Sequence, residues 1–483
     1  MFTIKNTKRL TKKVSKQLVE DLTKREMDKV LKQIKNNNQK KLLLTIKQKI
    51  HPTPEQQEVL WALSENCRLI YNFALKERLS WWEQNKDKQI DDREKYPTYV
   101  KQQNDLPKIK KQYPRYQQNY SKTLQMTLTE LDANFKSFYA LRTKGYTDAQ
   151  PPKFKGKKHF TALIYNQSGF KIEGNRVTLS HSYPNKTDKE DILCFELPQY
   201  MNSQNRKFKQ VVLTQDRKTK EFFLTAIFEQ ETPTYFDNTI YQAIDQGVIS
   251  IVAGINNHAG KTLTIKNQRV DKYWQPKIEE LMSKRDHCKK YSHKWHWYNE
   301  KLNRIHKKQA YQQIDFQHKT SKKIVENTKA NTIIIGDLCT KQMVRRKKGD
   351  KKNRKSLHRT VHSTGVISRF SRFLTYKAQK IGKKVIRISE KNTSKRCCYC
   401  GKKEQRYLSE RIIHCDKCGI VIDRDINASI NIMQRFLAIL SLSQKRPLVG
   451  QQLRDFRKVV FCDKQLWDMP TSQRPVDSQE IKI

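Results

Sequence analysis

Four cysteines and a set of carboxylates are the side chains of this 483-residue chain whose types and spacing could do chemistry. Cys397 and Cys400 form one CxxC, Cys415 and Cys418 a second, each followed by glycine, Gly401 or Gly419. That is the spacing of a zinc ribbon. Each CxxC turns tightly enough to aim two thiolates at one tetrahedral Zn²⁺, and glycine permits the backbone of the knuckle. With four thiolates on the metal no position is open for water or substrate, so the zinc is expected to be structural. Glu390 precedes the ribbon and Asp425 follows it. Two acids brought to one place offer the hard oxygen ligands that Mg²⁺ takes.

The elements around these residues explain how they could meet. KKVIRIS alternates like a buried strand and leads to Glu390; from Asp425 onward, Ile426, Ile430, Met433 and Leu437 mark one face of a helix. Upstream, TIYQAIDQGVISIVAGINNHAGKTLTIKN reads as three tightly joined strands with Asp245 ending the first. A basic helical stretch follows from about Tyr273 to Asn327, then the apolar strand NTIIIGDL, ending on Asp337. Three strands, helices, strand, helix, strand, helix is the order of the ribonuclease H fold, with acids ending its first and fourth strands and on its last helix. An isolated aspartate is usually a helix cap or a surface charge, but Asp245 and Asp425 stand at the junctions this fold requires. Two Mg²⁺ roughly 3.5–4 Å apart on such acids would serve in-line hydrolysis of a phosphodiester.

Composition points the same way. Lys plus Arg number 98 against 48 Asp plus Glu, a net charge of +50. Such an excess is self-repelling unless a polyanion neutralises it, which makes nucleic acid the expected partner. A membrane surface is the competing polyanion, but there is no apolar run of spanning length and no signal-peptide pattern, so an intracellular protein with no membrane partner is expected. The six other cysteines, Cys67, Cys194, Cys288, Cys339, Cys398 and Cys462, lack framework spacing, as in a reducing compartment.

The N-terminal half is less specific. Residues 1–41 form a lysine-rich tail with some helical spacing. KLLLTIKQKI is a strand; Thr53 and Pro54 then open a helix bearing Val59, Leu63, Cys67, Ile70 and Ala74, and a second carries Leu124, Leu128, Leu131, Phe135 and Phe138. A polar linker, residues 84–118, separates them. From Pro151, short alternating strands between turn residues suggest a β-barrel. There Lys153, Lys155, Lys157 and Lys158 could pair phosphates, and Phe154, Phe160, Tyr165 and Phe170 could stack bases, although burial is the commoner fate of such aromatics. Arg345, Arg346 and Lys347 lie in a second basic run, VRRKKGDKKNRKSLHR.

Together these motifs resemble the TnpB proteins of IS200/IS605- and IS607-type insertion sequences and their eukaryotic and viral relatives, the Fanzor proteins, relatives of the type V CRISPR nucleases. The resemblance rests on KIHPTPEQQEVL with NCRLIYNFALKER, PPKFKGKKHFTALIYNQSG, AIDQGV, TIIIGDL, TSKRCCYCG with HCDKCG, and DRDINASINI. It implies an α+β multidomain protein: a β-barrel wedge domain (42–52 and 151–236), a helical recognition domain inserted in it (53–150), a RuvC nuclease (237–395 and 420–440), an inserted zinc ribbon (396–419), and tails at 1–41 and 441–483. It also implies a transposon-encoded RNA-guided DNA endonuclease binding guide RNA and target DNA, with structural zinc and two catalytic Mg²⁺; the oligomeric state stays open, with a monomer favoured. Such a protein would act in the cytoplasm or nucleoid of a prokaryote, or in a nucleus. Two departures stand out: Ala243 replaces the usual glycine before the first aspartate, and Asp337 the usual fourth-strand glutamate. A branch of the family carries its glutamate just before the ribbon, where Glu390 lies. The expected catalytic, magnesium-binding set is thus Asp245, Glu390 and Asp425, with Asp337 in reserve. Two alternatives remain open: an RNA-guided binder with a dead site, and a zinc-ribbon DNA-binding transposition accessory acting without RNA.

Overall fold

The computed structural model describes residues 16–36, 41–92, 94–182, 192–199, 206–338, 366–406, 410–443 and 447–461. The chain divides into two compact units, one of Leu43–Gln230 and one built from Met1–Leu42 and Glu231–Ile483. The first element, α1 (Lys24–Lys35), belongs to the second unit. It starts in a reciprocal capping box: Glu26 N–H donates to Thr23 Oγ1 (3.2 Å) and Thr23 N–H to Glu26 Oε2 (2.8 Å).

The Leu43–Gln230 unit begins with β1 (Lys41–Ile50) and α2 (Pro54–Asn85), where Thr53 caps and Pro54 occupies the first turn as expected. Helices α3 (Tyr99–Gln112) and α4 (Ser121–Thr143) follow, then β2 (Leu163–Asn166), β3 (Phe170–Glu173), β4 (Arg176–Leu179), β5 (Cys194–Glu196), β6 (Lys207–Gln215) and β7 (Phe222–Glu231). The strands make two sheets, in orders β1-β7-β6-β2 and β3-β4-β5. The polar linker expected at 84–118 contains α3. The helical and β segments share one continuous core, in which Leu60, Leu63, Leu124, Leu163, Leu213 and Leu224 are fully buried. Strands of four residues cannot enclose a core alone, and α4 packs against β2 to complete it.

In the second unit, β8 (Tyr241–Asp245), β9 (Ser250–Asn256) and β10 (Thr262–Lys266) form an antiparallel meander. The chain continues through α5 (Val270–Asp286), α6 (His293–Asn327), β11 (Thr332–Gly336), α7 (Val366–Lys380) and β12 (Lys384–Ile388). The sheet order is β10-β9-β8-β11-β12, with β8, β11 and β12 mutually parallel. This is the ribonuclease H topology that the order of elements predicts. Ile333 and Ile335 join the core under α6 and α7, whereas Ile334 faces the opposite core with Ala243, Ile386 and Ile388. Both faces are covered, which is why TIIIG is apolar without alternation.

Beyond β12, the hairpin of β13 (Ile412–His414) and β14 (Val421–Asp423) leads into α8 (Arg424–Ser443), and α9 (Pro447–Phe461) ends the described chain. Two expected tails are corrected in part. Leu18, Val19 and Val30 at the start, and Leu453, Phe456 and Val460 of α9, are buried in the core around α8. Apolar residues at helical spacing seat both segments there despite their lysines and arginines.

Candidate metal and carboxylate site

Because β8, β11 and β12 are parallel, their C-terminal ends share one edge of the sheet. β8 ends on Asp245, Asp337 directly follows β11, and Glu390 lies just past β12. Asp425 sits in the first turn of α8, where Asp423 Oδ1 accepts the N–H of Asp425 (2.8 Å) and of Ile426 (3.1 Å). The strand ends thus carry Asp245, Asp337 and Glu390 to one side, with Asp425 acting on Asp245, although among the described residues only the four cysteines bring three or more ligand atoms within 4.8 Å of one another. Burial, then the charge of Asp425, pushes the Asp245 carboxyl up to about 7. Burial, then Asp245 and Asp337, raises Glu390 well above its ordinary value.

Glu390 is held at close quarters. A Cβ built on Gly336 would lie 1.1 Å from Glu390 Oε1, so the carboxyl rests on the last residue of β11 where no side chain stands. Around it, Thr393 N–H and Oγ1 donate to the Glu390 carbonyl (3.1 and 2.9 Å), while the buried Arg435 donates to the carbonyls of Ser389 (2.6 Å) and Lys391 (2.9 Å). Asp425 pairs with Arg411. Asp337 is more exposed, its Oδ2 2.5 Å from Lys29 Nζ. Among the described residues Glu390 Oε1 is buried without a hydrogen-bond partner, an expensive state for a carboxylate oxygen facing other acids. A buried acid oxygen left bare beside Asp245, with Asp425 close to that aspartate, fits a divalent cation.

The four cysteines also converge: their sulfurs all lie within 4.8 Å of one another, with Cys397–Cys418 at 3.7 Å and Cys400–Cys415 at 3.5 Å. A tetrahedron with Zn–S of about 2.3 Å has S–S edges of about 3.8 Å, so the sulfurs need little movement to take the ion. Gly401 (φ +77°) and Gly419 (φ +70°) take the left-handed backbone expected of the knuckles. Cys398 is buried but outside the group; its N–H donates to Asn427 Oδ1 (2.8 Å).

The basic residues divide. Lys153, Lys157 and Lys158 are exposed. Lys155 is corrected as a phosphate-binding candidate: it is half-buried over the Tyr71 ring and paired with Glu130 at 2.9 Å, because the carboxylate supplies the partner that a partly desolvated ammonium needs. Phe160 and Tyr165 are core, whereas Phe154 is exposed. Arg345, Arg346 and Lys347 lie outside the described residues. Sequence reasoning missed Arg435, Asn427 and Asn431. Both asparagines donate to the carbonyls of Thr393 and Arg396, fastening α8 to the entrance of the ribbon. Their signal was polar residues four apart on the apolar side of a helix.

Comparison with known proteins gives two family matches: residues 368–432 to the Cas12f1-like TNB domain and residues 42–87 to the helix-turn-helix domain of the OrfB/IS605 type. A putative RNA-guided DNA endonuclease of Streptomyces pristinaespiralis is 26% identical, the match covering 81% of this chain and 89% of that protein. A putative transposase of Methanocaldococcus jannaschii, MJ0856.1, is 32% identical over 85 residues, 16% of this chain and 78% of that one. Among solved structures, Cas12f1 in its complex with sgRNA and target DNA aligns over 79% of this chain and 83% of that chain, with a TM-score of 0.51 and 14% identity, a likeness of fold. The chain belongs to the TnpB-like family of IS605-type elements.

Proposed function

We propose that the protein is an RNA-guided DNA endonuclease encoded by a transposable element, which hydrolyses phosphodiesters of DNA paired to its guide RNA. The observation that carries the chemistry is the bare, buried Oε1 of Glu390 beside Asp245. Asp245, Glu390 and Asp425 would hold the magnesium ions, with Asp337 in reserve, and Glu390 marks the branch with a rearranged glutamate. Bound there, Mg²⁺ supplies charge stabilisation to the scissile phosphate and acidifies a water. The chain's own part is orientation and charge. Arg435 and Thr393 fix the backbone that presents Glu390, Gly336 leaves the space its carboxyl needs, and Arg411 steadies Asp425. The four cysteines would hold structural zinc and so set where α8, and Asp425 with it, begins.

In this reading the Leu43–Gln230 unit supplies a β-barrel wedge with a helical recognition insertion. Names of relatives that read RNA-guided DNA endonuclease support the substrate class, and the charge of +50 suits an RNA and two DNA strands held at once. The test is cleavage of a plasmid carrying the guide-matched sequence by protein purified with its RNA. Magnesium-dependent cutting is expected, lost in Asp245→Ala with RNA still bound. Wild type and Asp245→Ala behaving alike would instead mean a binder with a dead site.

A further inference from the structure

The α5–α6 hairpin is larger than its place in the sheet requires. Phe316, Ile324 and Val325 seat the C-terminal half of α6 under the sheet, and Val270, Trp274, Ile278 and Leu302 form a small separate core at the root of the hairpin. Between residues 279 and 301 nothing is buried. That stretch nevertheless carries Tyr291, Trp295, Trp297 and Tyr298, with Arg285 5.8 Å from the Trp295 ring, Lys290 5.2 Å from Tyr291 and Lys301 3.5 Å from Trp297. Tyr291 and Trp297 are 67% and 46% exposed, and Tyr291 lies 5.5 Å from Trp295, centroid to centroid.

Two features separate this from an ordinary solvated tip. Tyr291 has φ +69°, a left-handed conformation that costs a bulky residue free energy and that glycine or asparagine would take more readily. The strain displays to solvent an aromatic ring whose ring contacts among the described residues are its near neighbours in sequence, Trp295 and His296. The second feature is direction. Asn267 N–H donates to Ile249 O (2.8 Å), so α5 starts at the Asp245 end of the sheet. α6 ends ahead of β11, whose first residue, Thr332, pairs with Tyr241 at the opposite end. A helix of 35 residues is about 52 Å long against about 17 Å for a five-residue strand, so α6 overhangs by roughly 30 Å on the carboxylate side.

We infer that the hairpin tip is a stacking platform for single-stranded DNA leaving the carboxylate edge, with Tyr291 and Trp297 stacking unpaired bases and Lys289, Lys290 and Lys294 neutralising the phosphates. Rings accept only bases freed from a duplex, and the lysines follow a backbone of any sequence. That the strand is DNA rests on the nuclease reading above.

The probe is a single-stranded DNA oligonucleotide carrying 5-iododeoxyuridine, irradiated with the full-length Asp245→Ala chain without added magnesium, and the adducts are mapped by mass spectrometry. Adducts on Tyr291, Trp295 or Trp297 are expected, disappearing when the complementary strand is annealed. Tyr291→Gly and Trp297→Ala should each weaken affinity for that oligonucleotide about tenfold, and Tyr291→Phe should leave it unchanged. Tyr291→Gly also releases the left-handed strain, so its melting temperature should match or exceed the parent's, the reverse of what a merely structural tyrosine would give. Adducts only elsewhere, adducts indifferent to annealing, RNA of the same sequence competing as well as DNA, or parent affinity in Tyr291→Gly would each overturn the inference. No cleavage is read, so a failure to cut guided plasmid would count against the nuclease reading alone.

Discussion

At the scale of single residues the site is defined by what one glycine leaves out. Glu390 reaches its place only because Gly336 has no side chain, so Gly336→Ala should push the carboxyl away from Asp245. Overpacking of this kind costs about 1–3 kcal/mol. A still-folded variant is expected that keeps its RNA and cuts guided plasmid at background rate; normal cutting would remove Glu390 from the catalytic set. The same crowding predicts how the cation-free protein responds to pH. Asp245 is raised on folding to about 7, by burial first and then by Asp425. A carboxyl raised in this way contributes stability fully below its unfolded pKa, about 4, and the contribution is lost as pH rises through about 7. Calorimetric scans without divalent cations should therefore show wild type losing stability relative to Asp245→Asn between pH 4 and 8, the variant melting higher at the alkaline end. Parallel curves would mean that Asp245 is not held against other acids.

At the scale of elements, segments distant in sequence assemble one loop. Asp21, ahead of α1, accepts from Asn392 Nδ2 (3.0 Å), where φ is +62°, and from Arg396 (3.2 Å). Gln33 brackets Arg387 of the edge strand β12, donating to its carbonyl (3.1 Å) and accepting its N–H (2.9 Å). Arg435 of α8 reaches the same loop from beneath. Arg435→Met should strand the Ser389 and Lys391 carbonyls and cost on the order of 3 kcal/mol. In a melt it should lower the transition, and in a cleavage assay it should reduce turnover more than RNA affinity. An unchanged melt would mean the arginine is not the clasp. The parts legible in sequence were those whose pattern has a single physical cause. CxxC-Gly closes a knuckle, and an unbroken apolar strand means both faces are covered, which placed β11 and so Asp337. Helix α3 was missed because Pro107 interrupts it and only Gln102 and Leu106 are buried, leaving a polar string that looks like linker. The fate of Lys155 was hidden because its partner, Glu130, lies on another element, and pairing across elements leaves no local mark.

For the whole molecule the governing quantity is the net charge of +50, which two different effects of RNA would relieve. Any polyanion lowers self-repulsion and, to the extent that it binds the folded state more tightly than the unfolded chain, raises the melting temperature. Only a guide that pairs with the target can direct cutting, because the protein reads duplex shape and backbone while base pairing carries the sequence. The two effects should therefore separate. RNA of unrelated sequence, added to protein stripped of its own, should raise the melting temperature about as much as cognate RNA at low salt, and should give no cutting of guided plasmid. The non-specific part should collapse with ionic strength: a complex neutralising 6–10 phosphates loses about 10³–10⁵ in affinity between 50 and 200 mM salt. Stabilisation by unrelated RNA should vanish over that range, and any stabilisation by cognate RNA that persists measures its specific contacts. If both RNAs lose their effect together, the chain binds RNA through charge alone, and the guided reading fails at its first step.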